Sequence, residues 1–422
     1  MKYLIKSATI LDPASAFANQ EADVLIADDQ IIEVSKNIED PSATLINAKG
    51  LFLSPGWVDT QVQFGEPGFE ERETLESGTQ AAARGGFTSI FLSPEVFPTT
   101  DNKGAVEYLY SKSESLPVHV YPMGTVTAAN AGTDLAELFD MYQSGAIAFS
   151  DGKKEIRNPN LLKLALQYSS TFNAPIYSFP HNEDLGFGGQ MNEGKTSTLL
   201  GLKGMVAMGE DIAIQRDLSL LEYSGGHLHI NGVSTEKGAK RIQEAKALGH
   251  NVTASVNLCN LLYTEENVKG YSTAFKTLPP LRPEEDRVAL LKALKEGTLD
   301  VITMDHTPCD IEIKQCEFDH AAFGMAILET GFGACNDLIQ ELGWELWIEK
   351  IALRPREIFD LPKISISEGN IAELTLFDTK AKWSLSKKEA YSKSVNNPML
   401  NQSLEGKVVG IFNKGQYVES GI

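Results

Sequence analysis

From Gly56 to about residue 305, short apolar runs alternate with amphipathic stretches, and this alternation restricts the fold more than any other feature of the chain. The runs are GWVDTQVQF, FTSIFLS, VHVYPMG, AIAFSD, APIYSFP, HLHINGV, NVTASVN and LDVITMD. Each is short, apolar and bounded by turn residues, as strands buried on both faces are. Between them, STEKGAKRIQEAKALG offers Ser234 or Thr235 as a cap, Ala239, Ile242 and Ala245 on one face, and Gly249 as a stop. RPEEDRVALLKALKEG likewise puts Pro283 and acidic residues in a first turn and Gly297 at the end. Eight strands alternating with helices predict an α/β fold, a (β/α)8 TIM-like barrel, over an open doubly wound sheet. No G-x-G-x-x-G follows the first strand, which argues against a dinucleotide-binding fold.

The two ends read differently. YLIKSATIL, DVLIADDQIIEVS and ATLINAKG near the start, and NIAELTLFD and GKVVGIFNKGQYVE near the end, are strand patterns without helices between them. Neither end is large enough to bury a core alone, so both are expected to form one small composite β-sandwich. The domains expected are 1–52 (first part of the β domain), 53–365 (barrel) and 366–422 (its second part).

A formal net charge of −20 argues against nucleic acid, which requires clustered Lys and Arg, and against anionic membranes. The opening MKYLIKSATILDPAS is interrupted by Lys6 and Asp12 and alternates like a strand rather than a secretory signal. Four cysteines with no C-x-x-C pair read as free thiols, and the expected location is cytoplasmic.

Function in such a barrel sits at the C-terminal ends of the strands, where Gln61 and Gln63 fall in PGWVDTQVQFGEPGFEE. Residues i and i+2 of a strand point the same way, so histidines there would face one metal. Together with EPGFEERETLESGTQAAARGGFTS, AIAFSDG, GGQMNEG, PPLRPEEDR, MDHTP, AAFG and SKSVNNPM, this stretch resembles the long bacterial dihydroorotases of the amidohydrolase superfamily, nearly end to end. That resemblance implies a zinc-dependent hydrolase of pyrimidine biosynthesis. It also implies a site, and here the chain departs from it. The family's H-x-H pair falls on Gln61 and Gln63, its bridging aspartate on Asp151, and its last metal histidine on Gly232. The fifth-strand histidine falls on Phe179 by strand register, or on His181 if a gap is shifted. The catalytic aspartate falls on Asp305. The substrate-binding arginine becomes Gly65, its companion asparagine Glu95, the asparagine before P-P-L-R Leu278, and the histidine after D-H-x-P Cys309; Cys259 and Asn260 replace two further histidines.

Carboxamides are poor substitutes for imidazole on zinc, so the expected cofactor is none. Weak Mg²⁺ or Ca²⁺ binding through Asp151 and Asp305 is the oxygen-ligand alternative. Each remaining residue also has a structural reading. Asp305 would bond backbone N–H groups at the mouth, Asp151 would serve a turn, and His227 and His229 would be satisfied core residues rather than a second H-x-H. Cys309 and Cys259 would be small buried thiols, the alternative being a thiolate metal site with Asp305. The expectation is a dihydroorotase-like pseudoenzyme acting as a structural or regulatory partner of aspartate carbamoyltransferase or another pyrimidine-pathway protein, with a homo-oligomer also open. The alternatives are an active dihydroorotase with unusual ligands, and a sensor built on the same hydrolase fold.

Overall fold

The computed structural model describes residues 1–421 and closes the expected barrel. The barrel strands are Trp57–Val62, Phe87–Leu92, His119–Pro122, the segment around Phe149, Ile176–Ser178, Leu228–Ile230, Val252–Asn257 and Val301–Thr303. The first three pair in parallel, as do the last four. Single bridges complete the ring: Gly124 to Phe149, Phe149 to Ile176, and Val62 to His306. The fourth stretch, AIAFSD, is therefore not the regular strand its composition predicts. Gly124, Gly145 and the tight Asp151–Gly152 turn leave it only one residue of ladder on each side.

The helices end where their caps dictate. Thr235 accepts the Gly238 N–H at 3.1 Å to start Glu236–Ala247, and Gly249 takes a left-handed φ of 81° beyond its end. Ala239, Ile242 and Ala245 are its buried face. Pro283 sits one position earlier than expected, as the cap residue of Glu284–Lys295.

Both termini join one eight-stranded sheet. Lys2–Ile10 lies between Glu21–Ala27 and Phe52–Pro55, and Leu374–Trp383 pairs antiparallel with Phe52–Pro55. Ile5, Val24 and Leu53 from one end and Leu374, Leu376 and Phe412 from the other share a core separate from the barrel's. Neither end could bury those side chains alone.

His227 and His229 are core residues, both hydrogen-bonded to Thr253 Oγ1, at 3.0 and 2.9 Å. The His229 ring stacks 4.4 Å from Tyr177. Burial pulls His227 down to about 4 and His229 well below the ordinary 6.5, so both are neutral in the fold. Below pH 6.5 the unfolded chain takes up protons that the native state refuses, and stability falls with pH. Asp59 opposes this, since burial pushes its carboxyl up to about 7 and on acidification the native state takes up that proton before the unfolded chain does. The histidine effect is therefore read as a difference between two chains. His229→Phe should flatten the acid-side loss of stability below pH 6.5 by about 1 kcal/mol per pH unit, measured by urea unfolding at each pH. Parallel pH profiles for the two chains would refute the assignment.

Candidate functional site

At the barrel mouth the first strand presents Gln61 and Gln63. Gln61 is 1% exposed, and neither its amide nitrogen nor its oxygen has a protein partner. Gln63 donates to Glu95 Oε2 at 3.0 Å, and its backbone N–H to the His306 carbonyl at 2.8 Å. The same Glu95 oxygen accepts from Ser93 Oγ at 3.2 Å and from the Lys153 N–H at 3.1 Å. Lys153 then reaches across the mouth: its ammonium donates to Asp305 Oδ2 at 2.7 Å and to Thr307 Oγ1 at 3.1 Å. Asn257 Nδ2 donates to that carboxylate oxygen at 2.8 Å. Gln63, Glu95, Lys153, Asp305 and Asn257 thus form one polar chain joining the ends of five barrel strands.

Asp305 does not bond backbone N–H groups, as its position in a turn suggests. Its left-handed backbone (φ 52°) turns its side chain to an ammonium and a carboxamide instead. Burial pushes the Asp305 and Glu95 carboxyls upward, and Lys153 opposes the shift in both.

The other expected site residues are spent elsewhere. Asp151 accepts the backbone N–H groups of Val126 and Thr127, both at 2.9 Å, and the Thr127 hydroxyl at 2.6 Å. Its carboxylate organises the loop after the third strand, and not its own Asp151–Gly152 turn as the turn reading expected. Phe179 and His181, with ring centroids 5.9 Å apart, line a small cavity with Gly232 and Arg282. Gly232 has φ 74°, and a Cβ there would lie 3.2 Å from Asn257 Oδ1. At Gly65 a Cβ would lie 1.8 Å from the Phe69 carbonyl oxygen, so no side chain fits where the family's arginine would stand. At Gly152 it would meet the Glu95 side chain at 2.1 Å. Leu278 precedes a cis proline. The Cys309 thiol is buried, 3.8 Å from the Thr307 carbonyl, and its backbone N–H bonds Ser394 Oγ at 3.0 Å. Burial raises Cys309 and pushes Cys259 up to about 12, so neither is a thiolate. Neither belongs, among the described residues, to a group of three or more His, Cys, Asp or Glu side chains placed to hold a metal, so the alternative thiolate site with Asp305 is without support.

This donor set does not fit zinc. A zinc site needs convergent imidazole, thiolate or carboxylate ligands. Here one carboxylate is saturated by backbone N–H groups, the other holds an ammonium, and the remaining positions carry carboxamides, a phenyl ring and a glycine. Among the described residues no group of three or more His, Cys, Asp or Glu side chains is arranged to hold a metal.

Comparison with known proteins places this architecture. Across its whole length the chain superposes on L-hydantoinase (dihydropyrimidinase) from Arthrobacter aurescens, covering 96% of that chain with a TM-score of 0.87 at 23% identity. D-hydantoinase from Thermus sp. gives 0.84 at 18% identity, again over the whole chain and 96% of the other. The fold is therefore the one these hydantoinases have. Residues 50–238 match the family model described as dihydro-orotase-like. The dihydroorotase of Pelotomaculum thermopropionicum is 38% identical over 409 residues, 96% of each chain, and that of Syntrophus aciditrophicus 37% identical over 423 residues, 99% of each. The chain belongs to the dihydroorotase family.

Sequence reading missed Lys153 and Asn257. Lys153 follows Asp151 by two residues, so a lysine beside a supposed metal carboxylate was the available signal. Asn257 ends the seventh strand, a position that points into the mouth. The Lys153 and Asp305 side chains are only 11% and 7% exposed, so removing one partner strands the other's charge. Lys153→Met should cost about 3–5 kcal/mol of stability by urea unfolding, and adding Asp305→Asn should recover much of it. Equal costs for the single and double variants would refute the coupling.

Proposed function

We propose that this member of the dihydroorotase family has lost metal-dependent hydrolysis and serves pyrimidine biosynthesis as a structural or regulatory partner, with aspartate carbamoyltransferase the leading candidate. The observation that carries the reading is the Lys153–Asp305 bond at 2.7 Å. It puts a fixed positive charge on the one carboxylate that the family would use for proton transfer. An ammonium held against Asp305 neutralises that group, and it does not generate hydroxide from water as a metal ion does.

The other substitutions support the same reading. Glu95 presents a carboxylate where an anionic substrate would need a donor, and the Phe69 carbonyl closes off the space of the arginine at Gly65. Several charge-assisted bonds to substrate, each contributing about 1.5–3 kcal/mol, are absent together. Meanwhile the caps, cores and ring closure of the barrel are intact, as expected for a chain retained for its surface rather than its chemistry. A cytoplasmic setting fits buried, unpaired thiols. Among the described residues no helix is long and apolar enough to cross a membrane.

The second reading is an active dihydroorotase with unusual ligands, favoured by near-full-length similarity to proteins of that name. Purification from zinc-supplemented medium separates the two. Metal analysis should find well under one zinc per chain, and dihydroorotate hydrolysis should match the protein-free background with zinc added. Stoichiometric zinc, with turnover that a chelator and Asp305→Ala abolish, would instead establish the active enzyme. Co-expression with the carbamoyltransferase of the same cell should give one coeluting species in size-exclusion chromatography. Two separate peaks would remove that partner.

A further inference from the structure

On the outer wall of the barrel, aromatic rings collect around Phe172, on the turn that leads into the strand Ile176–Ser178. That turn is at the strand's entry, the end opposite the mouth. Phe139 and Tyr142, from the helix Leu138–Gln143, lie 5.4 and 4.9 Å from the Phe172 ring, centroid to centroid. Tyr168, from the helix Pro159–Ser169, stands edge-on at 5.6 Å, and Phe149 of the barrel core closes the inner side at 6.3 Å. Phe149 is buried, but the other three rings open outward: Phe139, Tyr142 and Tyr168 are 39, 40 and 44% exposed. Leu164, one turn before Tyr168 on the same face of its helix, is 38% exposed.

Single exposed apolar side chains need no explanation, whereas contiguous ones do. These four leave about 300 Å² of apolar surface in water, the size at which a patch on a monomer is often functional. A standard interface takes about 800 Å² from each partner, so the patch is enough for its apolar centre and needs a polar rim around it.

The charges beside the patch divide by helix. Leu138–Gln143 carries Asp140, with Glu137 at its cap, and no basic residue. Pro159–Ser169 carries Lys163 and no acidic residue. Glu137 and Asp140 are exposed and Lys163 is half-buried, and among the described residues none of the three is in an ion pair. Residues three and four apart share a stripe on a helix, so Glu137 and Asp140 run beside the stripe of Phe139 and Tyr142, and Lys163 stands beside that of Leu164 and Tyr168. A partner bearing one sign of charge would match only one of these helices. A second copy, turned about a twofold axis through the ring cluster, matches both, because it sets the acidic helix of each chain against the lysine helix of the other.

We propose that this face is the contact between two copies of the chain, with the Phe172 clusters opposed and Glu137 and Asp140 of each copy against Lys163 of the other. The contact uses no residue of the mouth, so it holds whether or not hydrolysis has been lost and whatever other protein the chain binds.

Sedimentation equilibrium of the full chain in 150 mM salt tests it. The chain should run at twice its own mass, with a Kd of about 10 µM or tighter. Tyr142→Asp and Tyr168→Asp, both exposed changes, should each weaken association at least about tenfold. Asp140→Lys and Lys163→Asp should each do the same by placing like charges together. Combining those two in one chain should restore the dimer, because the swapped charges again meet their opposites; damage to the fold would not be repaired in this way. A chain that stays monomeric at about 100 µM overturns the proposal. So does a dimer that the tyrosine variants leave unchanged, or a double charge swap that associates no better than either single one.

Discussion

A ring of parallel strands exists only if its first and last members meet, and the rest of this molecule depends on that join. Asp59 of the first strand bonds the Thr303 hydroxyl of the eighth, the Met304 N–H lies 3.3 Å from the same carboxylate, and Val62 bridges to His306. Desolvation pushes the Asp59 carboxyl up to about 7, which lets it sit in the seam as the neutral acid below that pH without a counter-ion. Once the seam is closed, strand ends separated by up to 250 residues converge on one mouth. Gln63, Glu95, Lys153, Asn257 and Asp305 become neighbours for that reason alone.

What occupies the mouth follows from electrostatics. A buried carboxylate needs a positive partner or a proton. In the family this chain belongs to, the resemblance assigns that partner to a metal ion. Here a lysine supplies it, and the difference in chemistry is large. A metal ion accepts a water molecule into its coordination shell and acidifies it, whereas an ammonium only donates hydrogen bonds. The mouth keeps its charge balance through an ion pair. The backbone at Gly65 belongs to the same change, since the Phe69 carbonyl oxygen occupies the space a Cβ would need there.

The loops above the mouth are held by the same economy of buried charge. The Lys314 ammonium donates to the carbonyls of Lys276, Ala322 and Gly324, at 3.2, 2.7 and 2.8 Å. Lys276 bonds Gln190 and the carbonyls of Phe318 and Asp319. Asn396, near the chain's end, donates to the Thr307 carbonyl at 2.9 Å, so the closing segment that resembles the family packs against the mouth. None of these contacts involves a reacting group.

The barrel and its helices were legible in the sequence because they rest on local rules. Alternating apolar runs specify strands buried on both faces, and Thr235, Gly249 and the acidic first turn after Pro283 specify helix ends. The fourth strand was not legible, since AIAFSD has strand composition and only the glycines and turns around it decide that a single residue pairs. Which residues stand at the positions that the resemblance assigns to metal histidines could also be read from the sequence, because residue identity needs no coordinates. What their neighbours do there could not. Whether Asp305 meets backbone, metal or lysine depends on which side chains from other strands share its space, and Lys153 and Asn257 lie 152 and 48 residues away along the chain. By itself the sequence determined the kind of barrel and which residue types stand at the positions that the resemblance assigns to the metal. Only the tertiary structure decided that an ammonium stands against the remaining carboxylate, because a salt bridge between distant strand ends is a property of the closed ring and not of any segment in it.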